Sequence, residues 1–220
     1  MKNTKTLVCA LLLSPFAGSS QTIIQREQYT GTKSDVARKY YSEGTSALDA
    51  RQFKNAIAPL RAAVAEDHNY IDAYDNLGVA YRNLNQLDSA EYFYRESIRR
   101  YPKGVVALVN LGKVSERRGN FTQALEYYKQ AVAIKPDDAE SYFSLMRGYS
   151  LLKKFPEALE NGYKAEQYYK KANSPYIGDC YLLMCVINIQ TNKMEEARKY
   201  RDLAKATGKT LPPALADALK

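Results

Sequence analysis

Tryptophan is absent from this chain, histidine occurs once, and only three of its 220 residues are cysteine. A single histidine, His68, rules out a metal site built on several imidazoles, and Asp67 is the one candidate ligand beside it. His68 is read as a solvated loop residue. A glycine-rich phosphate loop is missing, and no nucleophile, base and orienting group stand at a recognisable spacing. The chain is therefore read as a non-enzyme with no cofactor and no metal. Lys and Arg form no run resembling a nucleic-acid arm, which argues against a nucleic-acid partner. No apolar run approaches the roughly 20 residues of a membrane span.

Hydrophobic residues make up 45% of the chain, enough for a packed core, and 19 tyrosines supply most of the aromatic bulk. The formal charge is +8, and without Lys2 and Lys5 the chain still carries 30 basic against 24 acidic side chains. The opening residues follow the order basic, apolar, small: Lys2 and Lys5, then Leu7 to Leu13, then Ala17, Gly18, Ser19 and Ser20. That order reads as a secretory signal peptide over residues 1–20, removed after Ser19 or Ser20. Cys9 lies inside the apolar stretch without a small-residue box before it, which argues against a lipid anchor. The expected mature protein is exported, periplasmic or secreted, and soluble. Residues 21–34 are polar and patternless and read as a flexible lead-in.

Self-comparison gives the strongest signal. The block Ile71 to Gly104 holds Tyr74, Leu77, Gly78 and Tyr81, then Ala90 and Tyr94, then Pro102. A shift of 34 residues brings Leu108, Leu111, Gly112, Ala124, Tyr128, Ala131 and Pro136 into register. Further shifts bring Tyr142, Leu145, Tyr149, Phe155, Ala158 and Ala165 on one side, and Tyr40, Gly44, Phe53, Ala56, Leu60 and Ala63 on the other. Blocks at 37–70, 71–104, 105–138, 139–172 and 178–211 result, the last after five extra residues. Tyr74, Leu77, Gly78 and Tyr81 share one face of a helix, and Leu87, Ala90, Tyr94 and Ile98 share one face of the next. Turns are expected at Asn85-Gln86 and Gly119-Asn120, and Pro102 and Pro136 close the second helices.

This pattern resembles the tetratricopeptide repeat (TPR). The resemblance implies an all-α fold: a right-handed superhelical solenoid of about five helical hairpins over residues 35–211, with Leu211, Leu215 and Leu219 marking a short capping helix at 212–220. It also implies a binding task, in which the chain holds other molecules. Cys180 and Cys185 are five apart on one predicted helix, about 140° from each other and beyond disulfide reach, so they read as packed thiols.

Within each block, positions 2, 5, 9, 12 and 13 of the first helix face away from its apolar stripe and would line a concave groove. Tyr41, Arg82, Lys113, Arg117, Phe143 and Arg147 occupy such positions, with Asn76 and Asn110 bordering the stripe. The four cations suit an acidic or C-terminal segment of a protein or peptide, since an arginine fork donates two parallel bonds to a carboxylate. Asp72, Asp75 and Glu116 stand among them and oppose that attraction. The carboxylate clamp of the family's chaperone adaptors is not present in its usual form, because the first block offers Tyr41 and Thr45. Two readings remain open: an envelope scaffold binding protein segments, and a receptor for a non-protein ligand such as a glycan or cell-wall fragment. The tyrosine flank around Tyr92 and Tyr127 is a second candidate face, and the oligomeric state is not specified by the sequence.

The leader has a direct test. N-terminal sequencing of exported material should find Ser20 or Gln21 first; a membrane-retained chain that still begins with Met1 would contradict the leader reading.

Overall fold

A computed structural model of the chain describes residues 31–213 and 215. The expected leader, most of the lead-in and the end of the expected capping helix, including Leu219, lie outside the described residues. Among the described residues there are ten α-helices and no strand. They are α1 (Asp35–Asp49), α2 (Phe53–Glu66), α3 (Ile71–Asn83), α4 (Leu87–Arg100) and α5 (Val105–Arg117), then α6 (Phe121–Ile134), α7 (Ala139–Leu151), α8 (Phe155–Lys171), α9 (Ile177–Gln190) and α10 (Met194–Ala206). Described residues up to Asn120 form one compact unit, and those from Phe121 onward form a second.

Local chemistry explains where these helices start and stop. Ser34 caps α1 by accepting the Ala37 amide at 3.1 Å, and Asp138 caps α7 by accepting the Ser141 amide at 2.9 Å. Pro156 sits in the first turn of α8, where a missing N–H costs nothing. α4 and α6 stop at Arg100 and Ile134, two residues before Pro102 and Pro136. α8 has no such proline after it and runs 17 residues, longer than any other described helix.

Five turns repeat one geometry. Arg51, Asn85, Gly119, Lys153 and Asn192 each take a left-handed backbone, at φ of 57°, 59°, 81°, 58° and 59°. The following amide, from Gln52, Gln86, Asn120, Lys154 or Lys193, returns to a carbonyl five residues earlier at 2.8–2.9 Å. This six-to-one bond ends each odd-numbered helix as a Schellman motif. Where the next helix has an assigned N-cap, that same residue fills it: Gln52, Gln86, Lys154 and Lys193. Helix end and helix start thus share one residue, and the hairpin closes without slack.

The first unit stacks α1 through α5. α1 packs on α2, α3 on α4, and α2 and α4 each pack on the odd helix that follows them. The core is close contact between a large side chain and a glycine. A Cβ placed on Gly78 would lie 2.4 Å from Cε1 of Tyr94, and one on Gly44 would lie 2.5 Å from Cγ of Leu60. Tyr94 and Leu60 are fully buried in the space so left. Phe93 stacks on Tyr81 with centroids 5.3 Å apart and meets Tyr74 at 6.4 Å.

The second unit stacks α6 through α10 by the same rules. Tyr128 is fully buried, and Gly148 and Gly162 leave room for Leu125 and for the Met146 sulfur. α9 is apolar around its whole circumference, with every residue from Gly178 to Asn188 buried. After α10 the chain turns back over the start of α9: Lys209 reaches Asp179 at 2.8 Å, and Leu215 is buried. Cys180 and Cys185 both lie on α9 as buried free thiols. Burial pushes both thiols up, that of Cys185 to about 11.

Two outcomes follow from this packing. Gly78→Leu should lower stability by about 1–3 kcal/mol through overpacking against Tyr94, read as a lower midpoint in thermal unfolding; an unchanged melt would contradict the hairpin register. Because a thiolate is the reactive form, Cys180 and Cys185 should resist iodoacetamide at about pH 8 in the folded protein and label fully in denaturant, as mapped by peptide mass.

Candidate functional site

From α3 onward the odd-numbered helices are set deeper than the even ones, while α1 buries only Ala37, Gly44 and Leu48. In α3, only Asp72, Val79, Arg82 and Asn83 keep solvent contact, and in α5 only Val106, Lys113 and Arg117 do. These residues recur at helical spacing, so each helix shows one narrow polar strip. α1 adds half-buried Tyr41 and Thr45. The first unit therefore carries Tyr41, Arg82, Lys113 and Arg117 on the accessible strips of three helices, of which α3 packs on both α1 and α5.

Several of these groups are tied to one another. The Asn76 amide donates to the Tyr41 hydroxyl at 3.0 Å, and the Tyr41 ring packs on Tyr70 with centroids 4.8 Å apart. Burial, with the nearby Asp72 charge, pushes the Tyr41 phenol well up, so it stays a neutral hydrogen-bonding group. Arg117 Nη1 donates to the Arg82 carbonyl at 2.6 Å, which draws the ends of α3 and α5 together. The Arg82 guanidinium lies beside the buried Tyr94 hydroxyl, whose pKa burial raises to about 12. Asn76 and Asn110, one repeat apart, are only 6% and 7% exposed and lie at the floor between the strips. Asp75 and Glu116 are also buried. The carboxylates expected to stand open among the cations are thus drawn into the packing, leaving Asp72 at the accessible level.

The second unit treats its two candidates differently. Phe143 is 6% exposed and meets Tyr169 edge-on at 6.4 Å, so it is a packing residue in this unit. Arg147 remains half-buried and points a guanidinium nitrogen at the Tyr128 hydroxyl, 3.4 Å away. Tyr169 donates to Glu140 at 2.9 Å. Sequence reasoning missed the Tyr41–Asn76 and Tyr169–Glu140 bonds, since partners 35 and 29 residues apart leave no local pattern.

Other candidate chemistry resolves simply. His68 is exposed, and its Nδ1 lies 2.9 Å from the Val64 carbonyl. Among the described residues no group of three or more His, Cys, Asp or Glu could hold a metal. Tyr94 and Tyr128 are core, while Tyr92 is 58% exposed and packs edge-on against Phe93. Among the described residues no helix is long and apolar enough to cross a membrane.

Comparison with known proteins gives the same architecture. Family profiles match residues 71–101 as "Tetratricopeptide repeat" and 112–145 as "TPR repeat". A thermophilic TPR protein of Thermus thermophilus superposes with a TM-score of 0.70 at 18% identity, covering 83% of this chain and 98% of that one. The pilF protein of Pseudomonas aeruginosa gives 0.69 at 21% identity, covering 80% and 78%. YrrB, described as a TPR protein with an unusual peptide-binding site, gives 0.53 at 19% identity, covering 78% and 86%. By sequence, the CTR9 homolog of Arabidopsis thaliana is 27% identical over 115 residues, half of this chain but a tenth of that protein. The Ycf3 photosystem I assembly protein of a Synechococcus strain is 26% identical over 114 residues, which is 44% of this chain and 66% of that protein. With helical hairpins in register, glycines under rings and matching repeat profiles together, the chain belongs to the tetratricopeptide-repeat family.

Proposed function

We propose that the chain is a non-enzymatic scaffold of the cell envelope that holds a protein or peptide segment on the polar strips of its odd-numbered helices. Tetratricopeptide repeats generally mediate protein–protein interaction, and the neighbour YrrB is described by its peptide-binding site. The observation that carries the reading is the layering in the first unit. Tyr41, Arg82, Lys113 and Arg117 stay accessible, while Asn76 and Asn110 sit below them as near-buried amides. An extended peptide backbone has donors and acceptors for such amides, and an acidic side chain or terminal carboxylate suits the cations above. Burial of Asp75 and Glu116 reduces their competition with that carboxylate for the cations. The glycan reading leans on groove aromatics and has less support, because Phe143 packs against Tyr169 and Tyr41 is engaged by Asn76.

The test is affinity capture of the mature protein from its own envelope fraction, with the bound species identified by mass spectrometry. A polypeptide is expected; a sugar would overturn the reading. For the captured partner, Lys113→Glu with Arg117→Glu should weaken affinity by about tenfold or more at low salt, with a smaller loss as salt rises. Unchanged affinity in a folded double variant would remove this face as the site.

A further inference from the structure

The fourth hairpin reverses the pattern on which the first two are built. Gly44 and Gly78 on odd helices face Leu60 and Tyr94 on even ones, and the third block keeps the pair in its sequence as Gly112 and Tyr128. At the same two positions the fourth block has Met146 on α7 and Gly162 on α8. Size alone does not account for this choice, since leucine fills the space over a glycine equally well, as Leu60 does over Gly44. What the exchange brings to this point is sulfur. A Cβ placed on Gly162 would lie 2.7 Å from Sδ of Met146 and 3.5 Å from Sδ of Met184 on α9. One turn before Met184, Cys180 places its Sγ 4.0 Å from the Met184 sulfur and 3.7 Å from the Gly162 carbonyl oxygen. The whole chain has four methionines and three cysteines, so abundance does not explain the meeting of three of them.

All three side chains are fully buried. Two are neutral thioethers, and the thiol becomes an anion only by losing its proton. Such a set selects an ion by charge and by softness. One thiolate cancels one positive charge, so a monovalent ion leaves the core neutral, whereas a divalent ion would leave a buried charge unpaired. Thioether and thiolate sulfur favour cuprous copper over ions that take oxygen ligands. Two sulfurs bound at about 2.3 Å to one trigonal ion stand about 4 Å apart, and Cys180 and Met184 hold theirs at 4.0 Å.

We propose that Met146, Cys180 and Met184 form a site for a single cuprous ion, held between α7 and α9 beside Gly162. As the sulfur–copper bond forms, Cys180 Sγ releases its proton to solvent, and no electron is transferred. Two of the three ligands are methionines, so the site leaves no cluster of His, Cys, Asp and Glu among the described residues. The sulfurs have no solvent contact, so loading waits on local opening and both uptake and release are slow. The site uses none of the groove residues and does not depend on whether the groove holds a peptide.

The experiment is anaerobic titration of the full mature chain with Cu(I) in competition with the chromophoric chelator bicinchoninate. The wild type should take up one Cu(I) per chain, and Zn(II) should not displace it. Met146→Leu with Met184→Leu conserves volume in an apolar core, so the double variant should remain folded by thermal melt. Its Cu(I) affinity should fall about a hundredfold, about tenfold for each thioether lost. Cys185→Ala removes the other α9 thiol and should leave uptake unchanged. X-ray absorption at the copper edge of the loaded wild type should show a shell of sulfur alone. No uptake by the wild type, or undiminished affinity in the folded double variant, would overturn the proposal. So would nitrogen or oxygen ligands in the absorption spectrum, or loss of uptake in Cys185→Ala, which would assign the ion to that thiol.

Discussion

The contact between a bulky side chain and a missing one sets the spacing of the first two hairpins. Where Gly78 has no Cβ, Tyr94 fills the space and becomes fully buried. The distance between α3 and α4 is thereby fixed by one aromatic ring, and their register with it. Gly44 with Leu60 sets α1 against α2, and Gly148 with Leu125 sets α7 against α6. In these three contacts the glycine lies on an odd helix, whereas Gly162 lies on the even helix α8 against Met146 of α7. α3, α7 and α9 pack against even helices on both sides and end up buried on most faces, while the even helices keep a broad solvated side.

That asymmetry has an electrostatic counterpart. Even helices carry spaced ion pairs such as Arg95–Glu91 and Lys164–Glu160, which face solvent and contribute a few tenths of a kcal/mol each. A denser set joins Arg99 and Arg100 to Glu96, and these hydrogen bonds hold the Glu96 carboxyl down to about 2. Several polar groups on α3, α5 and α7 are committed to partners: Asn76 to Tyr41, Arg117 to a backbone carbonyl, Arg147 towards Tyr128. Their geometry is accordingly better defined than that of a solvated face, which favours recognition by preorganised groups.

Much of the architecture was legible because repetition turns a long-range problem into a short one. Tyr94 and Tyr128 are recognisable as core from their offsets alone, and the turns at Asn85 and Gly119 from their residue types. The depth of a side chain was less legible. Phe143 occupies a position that faces away from its own helix's stripe, yet it is buried, because Tyr169 from the next helix closes over it. Asp75 and Glu116 sink for related reasons, since the faces of an odd helix are shared with neighbours beyond its own hairpin. The division at Asn120 left no mark in composition. Arg51 and Lys153 did leave a signal, standing where other blocks have Asn and Gly, but it gains meaning only with the backbone angle in view.

The shared residue at each hairpin turn limits how such a chain can be altered over evolutionary time. One residue both closes an odd helix and opens the even one, so an insertion there would rotate every later side chain on the second helix away from its glycine. Connections between hairpins lack this double duty. The five extra residues of the repeat enter at one such connection, between α8 and α9, and those two helices still pack together. Growth, loss or recombination of the array is therefore confined to whole hairpins, with seams at those connections.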